Sequence, residues 1–269
     1  MTTGQDPSSA AAGDREQVPV PSALADERDV ADEAAAQGGE QVPVAAAEGG
    51  GRVPDTTRLA AASLAAGDPT GWFERLYAEA GAGTAEVPWD VPEPSRYLAA
   101  WARRGGLTGE GRRALVVGCG LGRDAEFLAG LGFAVIAFDI SATAVRTARV
   151  RHPSSPVDYV VADLLDPPPS WRGGFDLVVE SNNVQALPAP ERARAIANVG
   201  PMVAPSGTLL VIAVAEQGER EGPPWPLTRA EIDAFAGPVA ALTPVSVEHL
   251  RDPDDPLVAR WRAEFRAAG

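Results

Sequence analysis

A run of alternating glycines carries the strongest chemical signal in this 269-residue chain, in the segment Val117-Gly118-Cys119-Gly120-Leu121-Gly122-Arg123-Asp124. Glycine lets the backbone turn sharply and approach a ligand closely, and the N–H groups that open the following helix then face that ligand. A tight strand-to-helix connection with no ligand is the simpler alternative. The spacing also places Arg123 where a nicotinamide-dinucleotide fingerprint needs its third glycine. It therefore disfavours a nicotinamide-dependent oxidoreductase.

Acidic residues follow the next two apolar segments. Asp139 ends the segment Phe133–Phe138 at the position of a carboxylate that accepts hydrogen bonds from ribose hydroxyls. The alternative is that Asp139 caps the next helix, in competition with Ser141. Asp163 and Leu164 follow the third strand, where a carboxylate suits an adenine amino group and the apolar side chain suits its ring. Aspartate after a strand is also ordinary loop chemistry.

The polar run Glu180-Ser181-Asn182-Asn183 ends the fourth apolar segment, Phe175–Val179. We expect its carbonyls and side chains to orient a sulfonium group or an acceptor, and a solvated turn is the alternative. Cys119 is predicted to be a small buried filler. His152 and His249 are predicted to be surface residues, so the sequence identifies no catalytic residue.

The surrounding segments alternate apolar strands with amphipathic helices. Predicted helices cover 57–66, 70–79, 95–104, 123–131, 142–151, 189–199 and 227–235, and predicted strands cover 113–119, 133–138, 159–162, 175–179, 208–214, 245–250 and 260–265. This order predicts an α/β fold with a mostly parallel sheet and helices on both faces. The last two strands are predicted to form an antiparallel pair at the sheet edge. The turns after the parallel strands should then lie together.

Composition separates residues 1–56 from the rest. This acidic, Ala/Gly/Pro-rich segment has no aromatic residue and repeats Glu-Gln-Val-Pro-Val at 16–20 and 40–44. It is predicted to be a disordered tail, because it cannot bury enough surface to offset its ordering entropy. The net charge of −14 argues against a nucleic-acid partner. With no apolar run of membrane-spanning length, one cysteine and two histidines, we expect a cytoplasmic protein without a metal centre.

The region Gly118–Leu187 resembles the class I S-adenosylmethionine-dependent methyltransferases. From Gly71 onward the chain resembles, more narrowly, the thiopurine, thiol and halide methyltransferase group. That group has an aromatic-rich helix and a Pro-Trp-Asp element before the sheet, matched by Phe73–Tyr77 and Pro88–Asp90. Its Gly-Pro-Pro-aromatic segment after the fifth strand is matched by Gly222–Trp225.

This resemblance implies a Rossmann-like methyltransferase domain over 57–269, with a helical lid over 57–105. It implies S-adenosylmethionine as the cofactor, with binding residues at Phe73, Tyr77, Trp89, Gly118, Gly120, Gly122, Asp139, Asp163, Leu164 and Glu180. The expected reaction is methyl transfer to a small-molecule acceptor, a soft nucleophile such as a thiol, which needs little help from a general base. The alternative is a non-catalytic S-adenosylmethionine-binding regulator or scaffold.

Overall fold

A seven-stranded sheet forms the centre of the computed structural model, which describes residues 53–215, 222–237, 240–253, 255 and 257–269. The strands are β1 (Arg113–Val117), β2 (Ala134–Asp139), β3 (Asp158–Val161), β4 (Phe175–Ser181), β5 (Val203–Val214), β6 (Leu242–Arg251) and β7 (Ala259–Ala267). The helices are α1 (Asp55–Ala65), α2 (Gly71–Gly81), α3 (Arg96–Arg104), α4 (Arg123–Gly130), α5 (Ala142–Arg151), α6 (Ala189–Val199) and α7 (Arg229–Ala234). Residues 1–52 of the predicted tail lie outside the described residues.

The strand order β3-β2-β1-β4-β5-β7-β6 confirms the predicted sheet. Strands β1 to β5 pair in parallel, and β7 runs antiparallel to both β5 and β6 at the edge. The chain moves outward from β1 to β3 and then returns to β4, so the direction of winding changes between β1 and β4. In open α/β sheets this switch point is where a ligand crevice forms.

Each face of the sheet is covered by its own set of helices. Side chains alternate between the two faces along a strand, and both faces here are apolar, as in other parallel sheets with helices on each side. Helices α1, α2, α6 and α7 pack on the face that carries Leu115, Val117, Val178, Leu209 and Val211. Helices α3, α4 and α5 pack on the face that carries Ala114, Val116, Val179, Leu210 and Ile212.

The predicted elements are all present, and the largest boundary difference is at β5. This strand begins at Val203, five residues before the predicted start at 208. The sequence Ala204-Pro205-Ser206-Gly207 has the composition of a turn, yet β5 continues through it with a register shift against β4 and with Ser206 at a φ of 61°. None of these four residues has a register partner on β4 or β7, so the turn-like sequence forms a bulge within the strand.

Candidate functional site

The glycine loop between β1 and α4 lies against the end of β4. Gly118 and Gly120 have φ values of 58° and 53°, in the left-handed region that favours glycine. A Cβ on Gly118 would lie 1.8 Å from Nδ2 of Asn183, and one on Gly122 would lie 2.2 Å from the hydroxyl of Tyr159. The loop is therefore packed too closely for side chains at these two positions. Strand register brings Val117 level with Glu180.

Asp139 closes this loop from the neighbouring strand. Its Oδ2 accepts a hydrogen bond of 2.9 Å from the N–H of Gly120, and its Oδ1 accepts one of 2.9 Å from the N–H of Ser141. The N-cap of α5 is Ser141, whose hydroxyl accepts from the N–H of Ala144, so the alternative role of Asp139 as that cap is wrong. Burial raises the pKa of Asp139 to about 6, although the two N–H donors oppose the shift.

A narrow cleft of about 30 Å³ brings five of the predicted residues together. They are Phe73, Gly118, Asp139, Asp163 and Leu164, and the cleft is also lined by Thr70, Ile140, Asn183 and Leu187. Oδ1 of Asp163 accepts from the N–H of Leu165 at 2.8 Å, so the predicted loop turn is present as well. The polar end of the cleft is thus the carboxyl edge of β2 and β3.

Two aromatic side chains lie over the glycine loop. The indole N–H of Trp89 donates to the hydroxyl of Tyr77 at 2.7 Å, and the two rings meet edge to face. That hydroxyl is 2.9 Å from where a Cβ on Gly120 would lie. Burial and the nearby charge of Asp139 raise the pKa of Tyr77 well above its usual value. Tyr77 is therefore a neutral phenol covering the loop.

Glu180 is completely buried within β4. Its Oε1 accepts from the N–H groups of Asn183 at 2.7 Å and Val184 at 3.0 Å, whereas its Oε2 has no hydrogen-bond partner among the described residues. Burial raises the pKa of Glu180 to about 7. The alternative of a solvated turn is therefore wrong for this residue. A buried, half-satisfied carboxyl group is uncommon and favours a ligand-binding role.

Sequence reasoning missed the polar contacts that hold the covering elements to α5. Asp90, next to Trp89, forms a salt bridge with Arg151 at the end of α5. Glu74 of α2 bonds the other end of α5, at Ser141 and Thr143. Asp90 and Arg151 are 61 positions apart, and Glu74 is at least 67 positions from its two partners. No local sequence pattern therefore indicates these contacts.

Neither the cysteine nor the histidines enter the cleft as catalytic groups. Cys119 is buried, and burial with the nearby Asp139 raises the pKa of its thiol well above the usual value. His152 stacks on Tyr159, and the exposed His249 packs against Trp261. The described residues hold no group of His, Cys, Asp and Glu side chains arranged for a metal ion. None of the helices in the described part of the chain has the length and apolar character of a membrane span.

Comparison with known proteins finds similarity to methyltransferases. A family model described as a methyltransferase domain matches residues 114–207. A probable thiol methyltransferase of Arabidopsis thaliana is 26% identical over 176 residues, which cover 62% of this chain and 77% of the relative.

Two solved methyltransferases share the fold at low sequence identity. The 1,6-didemethyltoxoflavin-N1-methyltransferase of Burkholderia thailandensis has a TM-score of 0.57 at 16% identity, over 83% of this chain and 94% of that one. The N-methyltransferase NodS of Bradyrhizobium japonicum, solved with S-adenosylhomocysteine, has a TM-score of 0.54 at 20% identity, over 73% of this chain and 100% of that one. Residues 114–207 therefore form a methyltransferase domain, and the sheet has the fold of the class I S-adenosylmethionine-dependent methyltransferases.

Proposed function

We propose that this methyltransferase acts on a small, soft acceptor such as a thiol, and that the ten predicted residues bind its cofactor. The cofactor assignment is supported by the convergence of Gly118, Asp139 and Asp163 in one cleft at the switch point of the sheet. The similarity to a probable thiol methyltransferase, together with the matched aromatic helix and Pro-Trp-Asp element, supports the sulfur acceptor.

The residues present fit S-adenosylmethionine. Each carboxylate oxygen of Asp139 accepts one backbone N–H and keeps a lone pair for a ribose hydroxyl. Asp163 and Leu164 supply an acceptor for the adenine amino group and an apolar surface for its ring. Oε2 of Glu180 is a buried acceptor that suits the amino group of the cofactor. Gly118 and Gly120 allow the methionine end to approach the backbone.

The covering elements must open for the cofactor to enter. The cleft of about 30 Å³ is far smaller than the roughly 300 Å³ or more of a typical ligand pocket. Phe73 on α2 lines it directly, and Tyr77 and Trp89 close the adjoining glycine loop. We assign α2 and the segment 88–90 to the moving part of the lid, with the salt bridge of Asp90 to Arg151 holding it shut.

When bound, the cofactor supplies a methyl carbon activated by its positively charged sulfur. With the cofactor held by Asp139, Glu180 and the glycine loop, a thiolate acceptor would supply the electron pair for the new carbon–sulfur bond, and the cofactor would leave as a neutral thioether that keeps the electron pair of the broken bond. The protein's part is to hold the acceptor in line with that bond and to exclude water. Because a thiol ionises near neutral pH, it needs no strong general base.

Calorimetric titration of the full chain with S-adenosylmethionine and with NADH tests the cofactor assignment. We expect micromolar binding of S-adenosylmethionine and no binding of NADH. Asp139→Ala should lose this binding. The control Asp158→Asn should retain it, because Asp158 is exposed and lies at the start of β3, away from the carboxyl edge that lines the cleft. Binding of NADH, or equal S-adenosylmethionine affinity in Asp139→Ala, would contradict it. Binding without transfer to any thiol, amine or phenol in a panel would instead indicate a non-catalytic binder.

A further inference from the structure

Glu74 joins the covering helix α2 to the first turn of α5. Its Oε2 accepts from the hydroxyl of Ser141 at 2.6 Å and from the N–H of Thr143 at 3.0 Å. Its Oε1 accepts from the hydroxyl of Thr143. A carboxylate at a helix N-terminus satisfies an otherwise unpaired N–H and complements the helix dipole. These contacts fasten α2 directly beside the carboxyl end of β2.

The same serine holds Asp139. The N–H of Ser141 donates to Oδ1 of Asp139 at 2.9 Å, and the N–H of Gly120 donates to Oδ2 at 2.9 Å. A continuous series of hydrogen bonds therefore runs from Glu74 through Ser141 and Asp139 to the glycine loop. Moving α2 away breaks the first link of this series, next to the carboxylate that faces the cleft.

The charge of Glu74 also acts on Asp139. Burial opposes the ionisation of Glu74, but the hydrogen bonds from Ser141 and Thr143 outweigh it and lower its pKa. Glu74 is therefore negative at neutral pH, and its charge adds to burial in raising the pKa of Asp139. Tyr77 and Cys119 also lie near Asp139, and both stay neutral because their pKa values are raised well above the usual range.

We infer that Glu74 is a positioning residue for the cofactor, which fixes α2 in the closed position and orients Asp139 toward the ribose through Ser141. Closure of the lid and capture of the ribose are then one coupled event. This inference rests on the proposed function, because it takes Asp139 as the ribose ligand. Glu74 itself contacts neither cofactor nor acceptor.

Two variants separate the geometry from the charge. Glu74→Gln removes the charge and disrupts the bonds, whereas Thr143→Val removes one hydroxyl contact and leaves the charge. We expect both to weaken S-adenosylmethionine binding at about pH 8, Glu74→Gln by roughly tenfold, the order expected for hydrogen bonds to a charged group. Glu74→Gln should also move the onset of weaker binding to a lower pH, because loss of the Glu74 charge lowers the pKa of Asp139. Thr143→Val keeps that charge and should leave the onset unchanged.

The measurement is the dissociation constant of S-adenosylmethionine by calorimetry between about pH 5 and pH 8.5, with thermal unfolding recorded for each variant. Glu93→Gln, an exposed glutamate on the segment before α3, is the matched control and should behave as wild type. If Glu74→Gln unfolds earlier but keeps both the affinity and the pH midpoint of wild type, Glu74 is only structural and the inference is wrong. If wild type itself does not bind the cofactor, the proposed function fails instead. If Glu74→Gln does not fold, unchanged affinity in Thr143→Val overturns the inference.

Discussion

Replacing Glu180 with glutamine removes a buried ionisable group while keeping the shape of the side chain. The amide oxygen of glutamine can still accept the N–H groups of Asn183 and Val184, which bond Oε1 in the wild type. The amide nitrogen then takes the place of Oε2, which has no partner among the described residues. The substitution therefore tests the ionisation of Glu180 with little change in packing.

The expected size follows from the pKa of Glu180. A rise from 4.5 to about 7 corresponds, at about 1.36 kcal/mol per pH unit, to roughly 3 kcal/mol between the two protonation states. Because the pKa is higher in the folded protein, the folded state holds the proton longer, and stability falls as pH rises from about 4.5 to about 7. At about pH 8, Glu180→Gln should be more stable than wild type by up to roughly 3 kcal/mol. At about pH 4 the two should be nearly equal.

Urea unfolding followed by tryptophan fluorescence, between about pH 4 and pH 8.5, measures this difference. Ionisable groups common to both proteins cancel in it, and Glu110→Gln, an exposed glutamate, should show no such pH dependence. We also expect Glu180→Gln to bind S-adenosylmethionine more weakly, a gain in stability at the expense of function. A stability difference that is negative, or that does not change with pH, would refute the reasoning.

Three further predictions concern the cleft. Gly118→Ala should lose cofactor binding and stability, because its Cβ would lie 1.8 Å from Nδ2 of Asn183. The control Gly130→Ala, whose Cβ would have nothing within 4 Å, should fold and bind normally. Wild-type affinity of Gly118→Ala in calorimetry would contradict the close packing of the loop. Trp89→Phe removes the 2.7 Å bond to Tyr77 and should weaken S-adenosylmethionine binding about fivefold, and an unchanged dissociation constant would count against the aromatic cover. In the Glu180→Gln background, which removes the other titrating carboxyl group, affinity should fall about tenfold per pH unit below about pH 6, where Asp139 takes up a proton. This dependence should vanish when Asp139→Asn is added, and a flat profile in Glu180→Gln would mean that Asp139 need not ionise.

The sequence predicts the features that depend on local pattern. The strand Arg113–Val117, its glycine loop and the helix that follows were recognisable, because an apolar run, positive-φ glycines and an amphipathic helix each leave a signal within a few residues. The parallel sheet then follows from the alternation of elements. The pairing register then places the ends of β1, β2 and β4 side by side, since Val117 is paired with both Phe138 and Glu180.

Features that depend on distant contacts could not be predicted in this way. Asp139 and Ser141 are both reasonable helix caps by type, and only the hydrogen bond from Ala144 identifies Ser141 as the cap. The contact between Glu74 and Ser141 spans 67 positions, and nothing near either residue indicates it. The complete burial of Glu180 arises because it lies in a central strand rather than in the turn that its polar neighbours suggest.

Methyl transfer by the purified full chain is the most direct test of the central claim. The protein is incubated with S-adenosylmethionine and a small thiol, and methylated thiol and S-adenosylhomocysteine are quantified together by mass spectrometry. Methyl transfer to a thiol should give equal amounts of the two products, at a rate that rises with thiolate concentration, and Asp139→Ala should form neither product. Bound cofactor with neither product, for thiols and for nitrogen and oxygen acceptors alike, would contradict it.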